Sequence, residues 1–366
     1  MPIPLDEYPV HQTPLPMDRV ATSDRNFYDR CYFNVHDRSG DIFMVTGLGI
    51  YPNLGVIDAY AAVRSGDRQW SVRFSDALAE RSLEQRVGGY RIEVLDPLRE
   101  LALTCASPDG SIDFELRWSA AFPAVQEEPH LLLSGGRPVL DASRFCQLGS
   151  WSGWLRTADR EFPVTPDRWS GARDRSWGIR PVGEPEPPGR GAEAMTGFWW
   201  LYAPLRFASF ALIVILQENP DGYRTVNDAK RVWPDGRVEQ LGWPRPEISY
   251  RPGTRHPESA RIHLTDRAGA PLVLDVETVT SIPLHVGAGY GGDPDWSHGR
   301  WMGRNWSSAA VYDLTDPAVA GRIPFGVVDH LARARLAGED GWGLFEHASI
   351  GRHDPSGFAD WAAVAS

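Results

Sequence analysis

The chain has 366 residues and a formal net charge of −11, with 37 Lys and Arg against 48 Asp and Glu. This length allows one large β domain or two ordinary domains, each with its own core. The basic residues form no run or stripe, so we expect no nucleic-acid partner, because phosphate contacts need clustered positive charge.

We find no targeting or membrane signal in the sequence. Residues 1–16 contain no basic region followed by an apolar stretch, so we expect no signal peptide. The longest apolar run, residues 207–216, is too short to span a bilayer. Cys31, Cys105 and Cys146 are odd in number and widely spaced, which predicts neither a disulfide framework nor a metal site. We therefore expect a cytoplasmic protein with reduced thiols.

Short alternating runs separated by turns recur along the chain, as in residues 99–120. The tripeptide Pro-Asp-Gly stands at residues 108–110, 220–222 and 234–236. Proline sets φ, aspartate bonds the local backbone and glycine adopts positive φ, so each tripeptide predicts a tight turn. Alternating runs joined by such turns predict antiparallel hairpins.

The segment GARDRSWG, residues 171–178, is the first candidate for chemistry. In a strand, Asp174 faces one way, whereas Arg173, Arg175 and Trp177 face the other way. If Asp174 points into a barrel interior lined with aromatic rings, its pKa rises and it can serve as a general acid. The alternative is a salt bridge at a strand edge or a turn, and local chemistry by itself favours that alternative.

A proline-rich connector, residues 180–193, lies near the middle of the chain. Its prolines are too many for a central strand or a helix interior. It divides the chain into residues 1–182 and residues 191–366, and each half has enough predicted strands for a sandwich or a closed barrel. We predict an all-β protein with two tandem antiparallel β-barrel domains.

Aromatic residues are dense on both sides of this connector. Alternation over residues 198–207 sends Trp199 one way and Trp200 and Tyr202 the other, so both faces are apolar. One face is expected to be core and the other a ligand wall. Trp154 lies in a similarly aromatic, glycine-bearing segment of the first half.

Residues 285–306 form a glycine-rich polar cluster that contains Tyr290, His298 and Trp301. Glycine leaves room where a ligand or another backbone comes close. His298 titrates near neutral pH and is a candidate acid or base. A long loop without function is an equally good interpretation.

The last segment, residues 325–353, fits either a helix or a hairpin, and the turn residues AGEDG favour the hairpin. In a strand, Glu346 and His347 point to opposite faces and cannot hold one ion together. We therefore expect no metal site there.

Several segments resemble the tandem lipocalin-like (calycin) superfamily of carotenoid 1,2-hydratases and their uncharacterised bacterial relatives. These are SDRNFYDR at residues 23–30, SGWL at residues 152–155, DRSWG at residues 174–178 and GWGLFEH at residues 341–347. The resemblance covers most of the chain in layout and is specific in the DRSWG region. It implies two lipocalin-like barrels and a cavity for a polyene, a terpenoid or a similar lipid.

The resemblance also implies a role for two residues of DRSWG. Asp174 would protonate a C=C bond and water would capture the cation, whereas Trp177 matches the signature tryptophan. The hydratases favour a histidine beside the aspartate, and here both neighbours are arginine. This departure weakens the prediction of hydration but not of proton transfer.

The first hypothesis is therefore a cofactor-independent lyase or isomerase that hydrates, dehydrates, cyclises or shifts a double bond in a hydrophobic substrate. Asp174 is the expected proton donor, and His298 or Tyr290 is the second acid or base. Arg173 and Arg175 hold strand geometry or bind a polar substrate head. The expected cavity walls are Trp154, Trp177, Trp199, Trp200, Tyr202 and Trp301.

The second hypothesis is a non-catalytic carrier for a hydrophobic small molecule, which needs the cavity but no acid. A third is a β module that binds carbohydrate or protein through exposed tryptophans. The sequence indicates no metal and no cofactor, and it does not determine the oligomeric state.

Overall fold

The computed structural model describes residues 14–16, 19–78, 84–134, 136–182 and 195–366. Strands dominate these ranges, and the single α-helix that they contain, α1, has only four residues, Pro317–Ala320. No helix in the described ranges is long and apolar enough to cross a membrane.

The first half of the chain folds into thirteen strands. In chain order they are β1 Phe27–His36, β2 Phe43–Tyr51, β3 Val56–Ser65, β4 Arg68–Ala77, β5 Arg86–Val87, β6 Tyr90–Asp96, β7 Glu100–Ala106, β8 Ile112–Ala120, β9 Val125–Gln126, β10 His130–Ser134, β11 Arg137–Thr157, β12 Glu161–Val164 and β13 Ser170–Ile179.

The second half contributes ten strands. They are β14 Gly197–Phe207, β15 Ala211–Glu218, β16 Arg224–Val232, β17 Val238–Gln240, β18 Gly242–Tyr250, β19 Pro257–Thr265, β20 Pro271–Pro283, β21 Trp306–Asp313, β22 Val328–Leu336 and β23 Glu339–Gly351.

The strands form two antiparallel sheets, and one sheet closes almost completely into a barrel while the other forms a half-barrel. The first sheet contains β1–β13 and, at its edge, β21, which pairs with β4. The second sheet contains the other nine strands, with β14 between β15 and β23. The prediction of an all-β fold with two lipocalin-like domains is confirmed. Most of the predicted connector lies outside the described residues, and the domain boundary stays a prediction.

The turn signals explain much of this topology. Pro-Asp-Gly joins β7 to β8, β15 to β16 and β16 to β17, and the three glycines have φ of 72°, 85° and 92°. Residues 328–351 form the β22–β23 hairpin and not a helix. Its turn holds Ala337 and Gly338 at φ of 52° and 84°. A primed turn of this kind matches the twist of the two strands, which explains why the hairpin forms.

Among the described residues, most buried apolar side chains belong to three large cores, and a fourth, smaller cluster contains Tyr28, Tyr51, Val56, Ala142 and Val182. Phe33 of β1 belongs to an N-terminal core, which lies on one face of the first sheet. Leu201 of β14 belongs to a C-terminal core on one face of the second sheet. The opposite faces of the same strands present Tyr32 and Trp200 to an intersheet core, to which both sheets contribute. Many strands are therefore apolar on both faces.

Candidate active site

A cleft lies between the two sheets beside the intersheet core. Its walls come from β1, β10, β11 and β13 of the first sheet and from β14 and β23 of the second sheet. It contains about 970 Å³ of space outside the protein atoms, part of which is open to solvent. Sequence analysis makes a general acid of Asp174 only if it faces a barrel interior, whereas the cleft lies between the sheets, because this face of β13 is turned toward the second sheet.

Asp174 points into this cleft from the middle of β13, together with Ser176. Burial raises the pKa of the Asp174 carboxyl group to about 7, and the neighbouring acids Glu127 and Glu346 act in the same direction. The positive charge of Arg144 opposes this shift without cancelling it. Asp174 therefore holds a proton in a large fraction of molecules at neutral pH, as a general acid requires.

A second acidic group stands across the cleft on the β22–β23 hairpin. Asp329 and Glu346 are directly opposite each other in the strand register. Burial, followed by the charge of Glu346, raises the pKa of Asp329 well above its usual range. The hydroxyl group of Tyr32 donates to Oδ2 of Asp329 at 2.5 Å, and Nε1 of Trp200 donates to Oε1 of Glu346. Asp329 is therefore protonated at neutral pH, because a second buried negative charge beside Glu346 would be repelled.

An ion pair supports the aromatic wall of the cleft. Nε of Arg144 donates to Oε2 of Glu127 at 2.5 Å, and the Glu127 side chain is 2% exposed. The same guanidinium group lies 4.5 Å from the ring centroid of Tyr202 and 5.4 Å from that of Trp200. The ring of His130 stacks on Trp200 with 5.6 Å between the centroids. These contacts hold two aromatic faces toward the cleft.

The glycine-rich loop, residues 284–305, closes one end of the cleft with Tyr290. Gly289 has a φ of +83°, and a Cβ there would lie 2.3 Å from the ring of buried Trp296, so only glycine lets the loop fold inward. Burial raises the pKa of Tyr290, which keeps its phenol protonated at neutral pH. Tyr290 can therefore donate a proton or hydrogen bond but is not a base there.

His298 lies behind Tyr290 in an adjoining hollow and does not line the cleft itself. Its ring centroid is 5.2 Å from that of Tyr290, and its Nδ1 is 3.4 Å from Oδ1 of buried Asp58. Burial and the charge of Arg30 lower the pKa of His298 to about 4. The imidazole is therefore neutral at pH 7, and its position supports the loop.

The two arginines that flank Asp174 turn away from the cleft, as alternation requires. Nε of Arg175 lies 2.9 Å from Oδ1 of Asp29. Nε of Arg173 donates to Oε1 of Gln147 at 2.8 Å. These contacts fit the strand-geometry alternative, and neither arginine lines this cleft.

Four of the six predicted wall residues lie elsewhere. Trp177 shares the arginine face of β13, and Trp154 lies beside Arg156 on the part of β11 that pairs with β8 and β12. Trp199 stacks on His353 on the other side of β14. Trp301 is 49% exposed. The structure brings together Asp174, Tyr290, Trp200 and Tyr202, whose positions depend on strand alternation and on loop folding.

Sequence analysis did not single out most of the polar residues of the cleft. Their signal was weak, because an isolated acid in an apolar strand, such as Asp329 in VVDHL, has no motif around it. Glu346 was considered only as a metal ligand. The residues that were missed are Arg30, Tyr32, Glu127, Arg144, Arg180, Asp329 and Glu346. Among the described residues, no three His, Cys, Asp or Glu side chains are grouped so that they could hold a metal ion.

Fold and site together define an all-β protein with two lipocalin-like domains and an acid-bearing aromatic cleft between its two sheets. The sequence model of a family of unknown function, DUF8625, matches residues 3–359, and the chain belongs to this family. No curated protein matches the sequence.

Solved structures share the fold at low sequence identity. The AttH candidate from Nitrosomonas europaea is 12% identical, with 93% of this chain and 98% of that chain covered and a TM-score of 0.52. Kievitone hydratase from Nectria haematococca is 12% identical, with coverages of 92% and 90% and a TM-score of 0.50. CghA with Sch210972 is 11% identical, with coverages of 89% and 89% and a TM-score of 0.51.

These likenesses establish the fold over nearly the whole chain. At such low identity they do not carry an activity from one protein to another. The specific relation to carotenoid 1,2-hydratases stays a prediction.

Proposed function

We propose that the protein is a cofactor-independent lyase or isomerase that transfers a proton to a hydrophobic small molecule in the intersheet cleft. Asp174 is the proton donor. The observation that carries this proposal is that Asp174 faces an aromatic cleft and that burial raises its pKa to about 7. A surface carboxylate with an ordinary pKa would be fully ionised at neutral pH and could not play this part.

In the proposed addition of water, Asp174 donates its proton to one carbon of a C=C bond, and positive charge develops on the other carbon. The faces of Trp200 and Tyr202 stabilise that charge through their ring quadrupoles. Water then adds to the cationic carbon and releases a proton. Elimination of water is the same sequence in reverse, and loss of a different proton from the cation gives a shifted double bond.

Glu346 is the proposed acceptor of the released proton. Nε1 of Trp200 donates a hydrogen bond to one of its carboxylate oxygens. Asp329 carries a proton and is therefore neutral, so it does not repel a negative charge on Glu346. Asp174 and Glu346 thus have different environments, which suits one acid and one base in a single cleft. This assignment replaces His298 as the second group, since His298 lies behind Tyr290.

A non-catalytic carrier is the second candidate, favoured by the aromatic lining of the cleft. The two candidates make different demands on Asp174. A carrier needs only the shape and the apolar surface of the cleft, whereas the enzyme needs the proton.

The test begins with native mass spectrometry and organic extraction of the full chain purified from its own host. A co-purifying hydrophobic molecule then serves as the ligand for wild type, Asp174→Asn and the control Asp275→Asn. Asp275 lies in an exposed ion pair with Arg261 on the second sheet and does not line the cleft. The enzyme proposal predicts binding by all three proteins and conversion by wild type and Asp275→Asn only.

Unchanged binding without conversion in any of the three would favour the carrier. Full conversion by Asp174→Asn would contradict the assignment of the acid. Loss of binding in Asp174→Asn with a normal fold would show that the carboxyl group holds the ligand and does not act only in the reaction.

A further inference from the structure

Arg30 is a buried cation that lacks a carboxylate partner. Its side chain leaves β1 toward the cleft, and the residue is 7% exposed. Its guanidinium carbon lies 4.9 Å from the ring centroid of Tyr290. In the ranges that the structure describes, Arg30 takes part in no ion pair and no hydrogen bond to a carboxylate.

Arg180 lies near the same ring. Its guanidinium carbon is 5.8 Å from the ring centroid of Tyr290 and 5.5 Å from that of Tyr28. It too has no ion pair within the described part of the chain. Both arginines line the cleft and also the hollow that adjoins it behind Tyr290.

Other arginines near the cleft are neutralised. Arg144 is paired with Glu127 at 2.5 Å, and Arg175 is paired with Asp29 at 2.9 Å. Taking a guanidinium group out of water is costly unless an opposite charge compensates for it. The contrast indicates that Arg30 and Arg180, unlike Arg144 and Arg175, can bind a negatively charged group in the cleft.

Asp58 is an acid that could have neutralised Arg30, because it acts electrostatically on that residue. Its carboxylate is already engaged. Oδ2 accepts from the backbone N–H of Gly299 at 2.6 Å, and Oδ1 accepts from the hydroxyl group of Tyr51 at 3.3 Å. Asp58 thus anchors the glycine-rich loop, and the guanidinium of Arg30 stays available.

We propose that the cleft takes an amphipathic substrate, a hydrophobic molecule with a carboxylate head that binds between Arg30 and Arg180. The apolar body then lies along Phe198 and Trp200, toward Asp174. This inference rests on the proposed function, because it names the substrate class of the same cleft. The arginine pair takes the polar-head role that sequence analysis gave to Arg173 and Arg175.

The bound carboxylate head also affects the reaction, because it orients the rest of the substrate. A planar guanidinium group binds a carboxylate through two parallel hydrogen bonds, which fixes orientation as well as position. With the head held at the Tyr290 end, only one stretch of the apolar body lies beside Asp174. The site of protonation is then chosen by distance from the carboxylate.

The test uses two fluorescent probes that differ in one charge, dansyl-undecanoic acid and its methyl ester. Both are titrated into the full chain at about pH 8, where the acid is ionised and arginine is protonated. Wild type is expected to bind the acid at least about tenfold more tightly than the ester, since a hydrogen bond to a charged group is worth about that factor. Arg30→Gln and Arg180→Gln should each remove most of this preference and leave ester binding within about twofold.

Two variants protect the interpretation. Arg30→Lys keeps the charge but loses the two parallel hydrogen bonds, so it should keep part of the preference for the acid, which a folding defect would not allow. Arg333→Gln is the matched control, because Arg333 also lies over an aromatic ring, 5.1 Å from Trp342, but is exposed and does not line the cleft. It should change neither affinity.

The outcomes separate this inference from the proposed function. Equal affinity of wild type for acid and ester would overturn the arginine assignment and leave the apolar cleft intact. A preference that survives in both glutamine variants would also overturn it, because the carboxylate would then bind elsewhere. Failure of wild type to bind either probe would contradict the ligand cleft itself, and the inference with it.

Discussion

Two pockets of this molecule contain the same kinds of residues and behave in opposite ways. One is the intersheet cleft with Asp174. The other, which we call the histidine pocket, lies at one end of the second sheet and includes Trp199, Glu218, Tyr250 and His353. Each combines a buried acid with an aromatic wall.

The acids of the two pockets differ in how their charge is compensated. Burial by itself would raise the pKa of Glu218, but hydrogen bonds from His353 at 3.1 Å and from Arg224 at 2.9 Å lower it. Within the part of the chain that the structure describes, the Asp174 side chain has no such direct partner, and burial raises its pKa to about 7. A satisfied ion pair stabilises a fold, whereas an uncompensated carboxyl group is available for chemistry. The comparison teaches that compensation, and not residue type, distinguishes a reactive site from a structural one.

The largest difference between the two pockets is expected in how a substitution of the acid changes turnover. Asp174→Asn should lower conversion of the extracted ligand by about 10²–10⁴-fold, because a positioned proton donor contributes about that much. Glu218→Gln should leave conversion of the same ligand within about twofold, since Glu218 does not line the cleft. Steady-state rates at neutral pH provide the measurement. Equal losses in the two variants would mean that both act through the fold.

The pH dependence of turnover should follow the acid of the cleft. Asp174 must be protonated to act, so activity is expected to be high below about pH 7 and to fall about tenfold per pH unit above it. A pH–rate profile from about pH 5 to 9 checks this. Removing Arg30, whose positive charge lowers the pKa of Asp174, should move the falling limb to higher pH. A limb that moves to lower pH would contradict the electrostatic account.

Stability should respond with opposite signs in the two pockets. The folded pKa of Glu218 is lowered, so its contribution is present above about pH 4.5 and is lost as pH falls through the folded value. Glu218→Gln should therefore cost about 2 kcal/mol of unfolding free energy at pH 7. The folded pKa of Asp174 is raised from 3.8 to about 7, so its carboxyl group costs stability progressively as pH rises through this range, and the cost is complete above about pH 7.

Asp174→Asn should accordingly stabilise the protein above that pH, by up to about 4 kcal/mol before any solvent screening. Urea unfolding of both variants at about pH 5 and pH 8 measures the two signs. A loss of stability in Asp174→Asn at the higher pH would contradict this prediction. It would show that the charge of the Asp174 carboxylate is compensated, as that of Glu218 is.

The smallest expected difference concerns two adjacent tryptophans, one in each pocket. Nε1 of Trp200 donates to Glu346 in the cleft, and Nε1 of Trp199 donates to the hydroxyl group of Tyr250 at 3.3 Å in the histidine pocket. Phenylalanine keeps much of each ring and removes only the donor. Trp200→Phe should lower turnover about threefold to tenfold, the value of one hydrogen bond, while Trp199→Phe should leave it unchanged. Similar kinetics in the two variants would remove Glu346 from the proposed mechanism.

Local sequence determined a large part of the structure. Pro-Asp-Gly and the pair Ala337 and Gly338 determine where hairpins turn, because proline and residues at positive φ restrict the backbone within a few positions. The period of two along β13 and β14 determined which side chains share a face, so that Asp174 is separated from Arg173 and Arg175, and Trp200 from Trp199.

What those faces meet was decided by tertiary structure. The pairing of Glu127 with Arg144, the packing of Tyr290 against Arg30 and the approach of Trp200 to Glu346 join segments that are distant in the chain. The pKa of Asp174 depends on this assembly, because burial and neighbouring charges arise only when the two sheets close on each other. A sequence pattern can state the direction of a side chain, but the environment in that direction belongs to the folded molecule.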